Sequence, residues 1–226
     1  MKYKKTVIGN FLSRPNRFIA YVEIDGKTEV CHVKNTGRCR ELLTDGARVI
    51  LEESHNPLRK TKYDLIAVYK SENLINMDSQ APNKVFNEWL NKTDFFGDIT
   101  LIKPEKTYKN SRFDFYVETV DKKIFIETKG VTLEKDGIVM FPDAPTDRGV
   151  KHLNELIDAK NNGYDAYVFF VVQMKKCTIF TPNYETHSEF AKALKKAKEN
   201  GVGVFALNCD VEEHSLVIDD FIKVLL

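Results

Sequence analysis

Three polar residues on two strand-like segments carry the chemistry that this sequence can perform. Asp114 lies in RFDFYV (112–117), while Glu127 and Lys129 lie in IFIETK (124–129). Side chains two positions apart share one face of a strand, so a hairpin of the two segments would bring all three together. Two carboxylates suit a hard divalent cation such as Mg²⁺ or Mn²⁺, and a neighbouring lysine can position an attacking water beside a phosphate. We therefore take Asp114, Glu127 and Lys129 as candidate catalytic residues for phosphodiester hydrolysis, with Asp114 and Glu127 as metal ligands.

The plainer interpretation is a solvated strand face with a cross-strand ion pair, worth about 0.2–1 kcal/mol. The alternation of the first segment predicts that Phe113 and Phe115 share the face opposite Asp114. Glu88 lies on the predicted helix before these strands and is a candidate third metal ligand, with a solvated helix face as the alternative.

The segment after Lys129 (130–156) is longer than a minimal connection, and long connections in compact domains tend to be functional. Asp147, Arg148 and His152 gather at the start of the next predicted helix. A helix N-terminus favours anions, so Arg148 is a candidate phosphate contact. The alternative is simple capping by Asp147 with a surface arginine and histidine.

The second half of the chain alternates helices and strands, which predicts an α/β domain with a mixed sheet. Thr146 or Asp147 is the predicted cap of the middle helix, which stops near Gly163. The predicted helices are 81–90, 147–162 and 187–200, and the predicted strands are 99–102, 112–120, 122–129, 165–172 and 203–207.

The pattern of the first half predicts short strands at 17–25, 27–33, 47–53, 63–69 and 73–77. Asp25-Gly26 marks a hairpin turn between the first two. Such a run of strands predicts a small closed barrel, of which the OB-like barrel is a form that often binds single strands. Cations near Phe11, Phe18 and Tyr21 are candidate nucleic-acid contacts, with barrel core and a solvated rim as the alternative. These cations are Arg14, Arg17, Lys34, Arg38 and Arg40.

The chain has 226 residues and a net charge of +1, which excludes a histone-like polycation. Residues 1–80 carry +4 and residues 81–226 carry −3, so a basic half precedes a mildly acidic one. The N-terminus has no apolar signal region, and the most apolar run (164–174) is too short to span a bilayer. Four scattered cysteines are typical of reduced thiols, so we expect a cytoplasmic protein without a membrane partner.

Three blocks resemble the sugar fermentation stimulation protein A family: FLSRPNRFIAYVEIDG, CHVKNTGRCREL, and RFDF followed by IETKGVTLEKDGIVMFPDAPTDRGVKHLNEL. They extend over nearly the whole chain. The spacing of Asp114, Glu127 and Lys129 resembles the PD-(D/E)xK nuclease pattern, with Phe113 where that pattern begins with proline. The resemblance implies an OB-like barrel (1–80) followed by a PD-(D/E)xK nuclease-like domain (81–226). It also implies non-specific DNA binding and a regulatory link to sugar (maltose) metabolism.

Three functions remain open from the sequence. The first is a DNA-binding protein with a metal-dependent nuclease site, for which RNA is the alternative substrate. The second is a non-catalytic DNA-binding regulator with a nuclease-like fold. The third is a sensor or enzyme of sugar metabolism that binds a small phosphorylated or sugar ligand. The absence of GxGxxG and GxxxxGK[ST] motifs leaves nucleotide cofactors unsupported, and no helix-turn-helix or zinc-finger pattern supports sequence-specific readout. The sequence makes no prediction of oligomeric state.

Overall fold

The first half of the protein consists of strands joined by short turns, as its alternating apolar residues predict. The computed structural model describes residues 1–35, 37 and 39–226. The strands of the first half are β1 (Thr6–Asn16), β2 (Ile19–Ile24), β3 (Lys27–Val33), β4 (Arg48–Glu53), β5 (Tyr63–Lys70) and β6 (Asn73–Asn76).

Strands β1 to β5 close into a small barrel. They follow the order β3-β2-β1-β4-β5, and a parallel pairing of β3 with β5 completes the ring. Ala20, Val22 and Ile24 of β2 are buried while the residues between them are exposed, which is the period of a strand with one face in a core. β6 extends the sheet by pairing with β5. The predicted OB-like barrel is confirmed.

β1 has no counterpart among the predicted strands, which begin at Arg17. Its sequence contains Gly9 and Pro15, and both residue types are disfavoured inside strands. Gly9 is required by close approach, because a Cβ atom there would lie 2.6 Å from Val22 Cγ1 and 2.8 Å from the Glu23 carbonyl oxygen. Gly9 therefore weakens the strand pattern in the sequence, yet it is the residue that allows β1 to pack against β2.

The second half alternates helices with strands of one sheet. Its helices are α1 (Ala81–Leu90), α2 (Asp147–Asn161) and α3 (Tyr184–Glu199). Its strands are β7 (Ile99–Tyr108), β8 (Ser111–Thr119), β9 (Lys123–Val131), β10 (Leu133–Lys135), β11 (Ile138–Phe141), β12 (Asp165–Val172), β13 (Ile179–Pro182), β14 (Gly203–Glu212) and β15 (Ser215–Val224).

The sheet of the second half is mixed and covered on both faces. Its order is β10-β11-β13-β15-β14-β12-β9-β8-β7, with β9, β12 and β14 parallel and β7, β8 and β9 antiparallel. Phe169 on β12 packs against Phe86 of α1, with ring centroids 4.8 Å apart. The next residue, Phe170, packs against Phe190 of α3 on the opposite face. The predicted fold class, an OB-like barrel followed by an α/β domain with a mixed sheet, is confirmed.

The segment after β9 contains more regular structure than the sequence predicts. β10 and β11 form a hairpin, and β11 joins the main sheet by pairing in parallel with β13. These strands are only three or four residues long, which is too short for a periodic pattern to identify. The predicted cap of α2 is present: the Thr146 side chain accepts a hydrogen bond from the Gly149 N–H.

A buried polar cluster joins the two halves. The Gln173 side-chain amide donates to Asn76 Oδ1 at 2.9 Å and to the Asp78 carbonyl oxygen at 3.0 Å. In return, the Asn76 N–H donates to the Gln173 carbonyl oxygen at 2.9 Å. The predicted boundary between residues 80 and 81 falls just after this cluster, where α1 begins. Among the described residues, no helix is long and apolar enough to cross a membrane.

Candidate metal centre

Asp114 is held by groups from two neighbouring elements. Its Oδ1 accepts from the Asn83 side-chain amide of α1 at 2.8 Å. Its Oδ2 accepts from the Thr128 N–H of β9 at 2.8 Å and from the Thr128 hydroxyl at 3.0 Å. Burial and the negative charge of Glu127 raise the pKa of Asp114 above its usual value. The carboxylate is therefore fixed in place and held in a position where its charge is disfavoured.

The backbone explains how Asp114 reaches the gap between β8 and β9. The backbone ladder between these strands extends to the pair Phe115–Ile126. Beyond the end of this ladder, the Thr128 N–H donates a hydrogen bond to the Asp114 side chain instead. The predicted alternation is wrong here. Phe113 packs 6.1 Å from the His152 ring of α2, whereas Phe115 packs against α1 on the opposite face. The two phenylalanines thus lie on opposite faces of the sheet, at the point where the Asp114 side chain takes the place of the backbone pairing.

Glu127 is buried on the α2 side of β9, with 3% of its surface exposed. Its Oε1 contacts the Lys129 ammonium and lies 2.5 Å from His152 Nδ1. Its Oε2 is buried and has no hydrogen-bond partner among the described residues. Burial raises the pKa of Glu127, but the hydrogen bond with His152 and the charge of Lys129 outweigh that effect and hold the pKa below its usual value. The carboxylate is therefore charged, with one oxygen satisfied and the other available.

The structure places Lys129 in contact with Glu127, and Asp114 close enough to both for their charges to affect its pKa. It does not bring Glu88 to them. Glu88 is half exposed and pairs with the amino group of Met1 at 2.8 Å. Asn83 is the α1 residue that contacts Asp114, and residues five apart lie on different faces of a helix. The helix α1 therefore contributes the Asn83 amide to the site, while Glu88 lies on a different face and pairs with Met1.

Sequence reasoning overlooked Asn83 and Thr128, and it placed His152 in a cluster at the start of α2 with a surface histidine as the alternative, without naming Glu127 as its partner. The signal for His152 is its spacing, because it lies four residues before Leu156, on the apolar stripe of α2. A polar residue on a buried stripe needs a partner, and Glu127 is that partner. Asn83 and Thr128 offer no comparable pattern, because their roles depend on how α1 packs against the sheet.

The donor set fits a hard divalent cation. Asp114 and Glu127 supply carboxylate oxygens, the ligand type that Mg²⁺, Mn²⁺ and Ca²⁺ prefer. The buried Oε2 of Glu127 is a charged acceptor without a donor, and such an atom is costly unless a cation or proton neutralises it. Among the described residues, no group of three His, Cys, Asp or Glu side chains gathers around one point. A cation here would complete its shell with water, as Mg²⁺ commonly does.

Two of the predicted nucleic-acid contacts are engaged inside the protein. The Arg14 guanidinium donates to the carbonyl oxygens of Arg17, Asn35 and Gly37 at 2.6–2.8 Å. Lys34 lies 3.1 Å from Asp78. Burial lowers the pKa of Lys34, but the attraction of Asp78 outweighs the effect of burial. The pKa of Lys34 therefore lies above its usual value. Both side chains thus have their partners within the first half of the chain, and Arg38 lies outside the described residues.

The other predicted contacts remain accessible. Arg17, Arg40 and Arg148 are exposed, and the Arg17 guanidinium lies 6.0 Å from the ring centroid of Phe18. Phe18 is 51% exposed, which leaves a ring and a cation together on the barrel surface. An exposed ring beside a cation is typical of surfaces on which nucleic-acid bases stack.

Two adjoining clefts lead from the barrel towards the carboxylates. The cleft on the barrel side measures about 560 Å³ and is lined by three of the predicted cations: Arg14, Arg17 and Arg40. The second measures about 350 Å³, and Gly37 and Ala144 line both. The second cleft reaches Gly130, the neighbour of Lys129, and Thr146, the cap of the helix that carries His152. The clefts thus extend from the accessible cations of the barrel to the residue that follows Lys129.

Comparison with known proteins identifies similar chains along the full length. The family model described as the sugar fermentation stimulation protein RE domain matches residues 80–215, and the SfsA N-terminal OB domain matches residues 12–77. Sugar fermentation stimulation protein homologs from Clostridium beijerinckii and Ruminiclostridium cellulolyticum are 63% and 58% identical, with full coverage of both chains. The solved structure of Pyrococcus furiosus SfsA in complex with Ca²⁺ is 27% identical, with a TM-score of 0.91 over 100% of this chain and 98% of that one.

Proposed function

This chain belongs to the sugar fermentation stimulation protein (SfsA) family, and we propose that it binds DNA without sequence preference and hydrolyses phosphodiester bonds with a divalent cation. The observation that carries the proposal is the buried Oε2 of Glu127, which has no hydrogen-bond partner among the described residues. Asp114 adds a second carboxylate whose pKa is raised in part by the charge of Glu127. Two neighbouring carboxylates repel each other, and a cation bound between them would offset this repulsion.

The proposed cofactor is Mg²⁺ or Mn²⁺, held by Asp114 and Glu127. The Pyrococcus furiosus relative was solved in complex with Ca²⁺, a cation that takes the same class of oxygen ligand. When bound, a divalent cation polarises a phosphoryl oxygen and neutralises developing negative charge. Asn83 and Thr128 hold Asp114 in a fixed orientation through their hydrogen bonds.

Lys129 is the proposed group that positions the attacking water. Its ammonium contacts Glu127 Oε1, and its side chain is 17% exposed, so the charge lies at the boundary between the buried carboxylate and solvent. A lysine there can orient a water molecule and stabilise negative charge on the phosphate in the transition state. Arg148, exposed at the start of α2, is the proposed phosphate contact on the same side.

The proposed substrate is DNA, with RNA as the alternative, held along the two clefts by Arg17 and Arg40. Phe18 offers a ring for a base to stack on, which suits binding without sequence preference. The name of the relatives connects them with sugar fermentation, and we propose for this chain a regulatory link to sugar (maltose) metabolism that acts through DNA. The four cysteines are buried and unpaired, which supports a cytoplasmic location.

A cleavage assay tests this function. The substrates are single- and double-stranded DNA and RNA of one sequence, each with Mg²⁺ or Mn²⁺. Asp114→Asn removes one ligand charge and should reduce cleavage by at least about 100-fold, the scale of a lost transition-state charge contact. Glu88→Gln is the matched control, because it makes the same chemical change at a carboxylate that pairs with Met1. Equal cleavage by wild type and Asp114→Asn, or cleavage of no substrate by wild type, would contradict the proposal.

The second candidate function is a DNA-binding regulator without catalysis. Hydrogen bonds already satisfy both oxygens of Asp114, and the ammonium of Lys129 contacts Glu127. These contacts favour the second candidate, because they stabilise the carboxylates without a metal ion.

If the protein binds DNA without catalysis, binding would persist in Asp114→Asn. If Arg17, Arg40 and Arg148 contact phosphates, the slope of log K against log salt concentration should be about −3. The double variant Arg17→Ala/Arg40→Ala should reduce the slope by about 2, whereas Lys27→Ala, in the β2–β3 hairpin, should leave it unchanged.

A further inference from the structure

The buried histidine of α2 has two partners, one on each ring nitrogen. His152 Nδ1 lies 2.5 Å from Glu127 Oε1, and His152 Nε2 lies 3.3 Å from Arg148 Nε. The ring is 4% exposed and packs edge-to-face with Phe113 at 6.1 Å. These contacts fix the orientation of the ring, since rotation would lose both hydrogen bonds.

The partners also fix where the proton of His152 lies. The Nε–H of an arginine donates and never accepts, so His152 Nε2 must accept from Arg148. The ring proton is then on Nδ1, where it is donated to Glu127 Oε1. A protonated Nε2 would instead face the Arg148 N–H, donor against donor. The hydrogen bonds therefore select the tautomer of His152 that donates from Nδ1 and accepts at Nε2.

We propose that His152 is a positioning residue for the metal site and that Arg148 is the residue that sets its tautomer. His152 and Lys129 hold Glu127 Oε1, which leaves the buried Oε2 as the oxygen that receives the cation. Hydrogen-bonded partners of metal ligands orient the ligand in this way, and their loss usually weakens metal binding by about 10-fold to 100-fold. This inference rests on the proposed function, because it assumes that Glu127 binds a divalent cation.

Arg148 acts at two places in this arrangement. Its Nε is occupied by His152, whereas its two terminal nitrogens make no hydrogen bond within the described part of the chain. The side chain is exposed, so those nitrogens are accessible to an anion. Contact with a phosphate would add to the role of Arg148 in holding His152, because the two contacts use different nitrogens of one planar group.

The test measures Ca²⁺ binding by calorimetry, so that its readout does not depend on cleavage. His152→Asn places an amide nitrogen at the same number of bonds from the backbone as Nδ1, and its affinity should stay within about 3-fold of wild type. His152→Leu has no donor and should bind Ca²⁺ about 10-fold to 100-fold more weakly. His214→Leu, at an exposed histidine of the β14–β15 turn, should bind like wild type.

A second measurement keeps the inference testable if His152→Leu does not fold. Nitrogen NMR of the histidine rings in wild type should show His152 with its proton on Nδ1, and Arg148→Met should shift the proton partly to Nε2. A proton on Nε2 in wild type would overturn the inference, as would equal Ca²⁺ affinity in wild type and folded His152→Leu. In either case Ca²⁺ binding that is lost in Asp114→Asn would leave the proposed metal site intact. Failure of wild type to bind any divalent cation would instead refute the metal site and the inference together.

Discussion

Replacing Lys34 with methionine should reduce the stability of the protein and leave its affinity for nucleic acid unchanged. The sequence predicts Lys34 as a phosphate contact, but in the structure its ammonium lies 3.1 Å from Asp78 Oδ2 and 3.5 Å from Glu52 Oε2. The Lys34 side chain is 15% exposed and that of Asp78 is 0% exposed. Methionine keeps most of the volume of the lysine stem, so the change mainly removes the charge.

The magnitude follows from the burial of Asp78. Without Lys34, Asp78 keeps hydrogen bonds from the Gln80 N–H at 2.9 Å and from the Tyr3 hydroxyl at 3.3 Å, but its negative charge has lost its nearest cation. Removing one partner of a buried ion pair usually costs about 3–5 kcal/mol, because the other charge stays in a low-dielectric environment. For a chain of this size the loss corresponds to a decrease in Tm of about 6–20 °C.

Urea unfolding followed by Trp89 fluorescence would measure the loss, and a DNA titration at fixed salt would measure binding. The double variant Lys34→Met/Asp78→Asn is the control, because it removes both charges and should recover most of the lost stability. Arg17→Ala should show the opposite result, with weaker binding and little change in stability. A Lys34→Met protein that unfolds within about 1 kcal/mol of wild type and binds DNA more weakly would refute the assignment of Lys34 to a stabilising ion pair with Asp78.

Three further predictions follow from single contacts. Thr146→Ala removes the side-chain cap of α2 and should lower the free energy of unfolding by about 1 kcal/mol, measured in urea. Arg59→Met breaks two hydrogen bonds to Asp64 that help to hold the pKa of Asp64 below its usual value. This stabilisation is present above the usual Asp pKa and is lost as pH falls through the lowered folded pKa, so a difference from wild type of about 1–2 kcal/mol at pH 7 should shrink and disappear as the solution is acidified below that pKa. Gly130→Ala should cost about 1–3 kcal/mol in thermal unfolding, because its Cβ would lie 2.5 Å from Gln173 Oε1 and 2.7 Å from a carbon of Pro82.

The core of the candidate site could be predicted from sequence because it depends on local periodicity. Residues two apart on a strand share a face, which accounts for Glu127 and Lys129, and strands close in sequence usually pair, which brings the strand of Asp114 beside them. The supporting residues depend on packing instead. Asn83 reaches Asp114 only because α1 lies on one face of the sheet, and His152 reaches Glu127 only because α2 lies on the other.

The candidate nucleic-acid contacts on the barrel were harder to predict. A sequence shows which residues are cationic, but it does not show which groups they pair with in the folded protein. Arg14 and Lys34 look like Arg17 and Arg40 in composition, yet the first two are bonded to backbone carbonyls and a buried carboxylate. For Lys34 the distinction arises from Asp78, a residue more than 40 positions away that reaches it only in the folded protein. Burial of distant polar partners is a tertiary property that local patterns do not encode.

In the proposed function, cations on the barrel and carboxylates on the sheet act on one substrate, and contacts between the halves would fix their relative positions. Gly130, next in sequence to Lys129, packs so closely on Gln173 and Pro82 that only glycine fits. Gln173 in turn donates to Asn76 and to the Asp78 carbonyl oxygen, at the end of the barrel half. The strand that carries Glu127 is therefore tied to the barrel through one buried amide. Catalysis by positioning requires the substrate and the reacting groups to be held in fixed geometry. Loosening this connection should thus impair cleavage of bound DNA even where every carboxylate and surface arginine is retained.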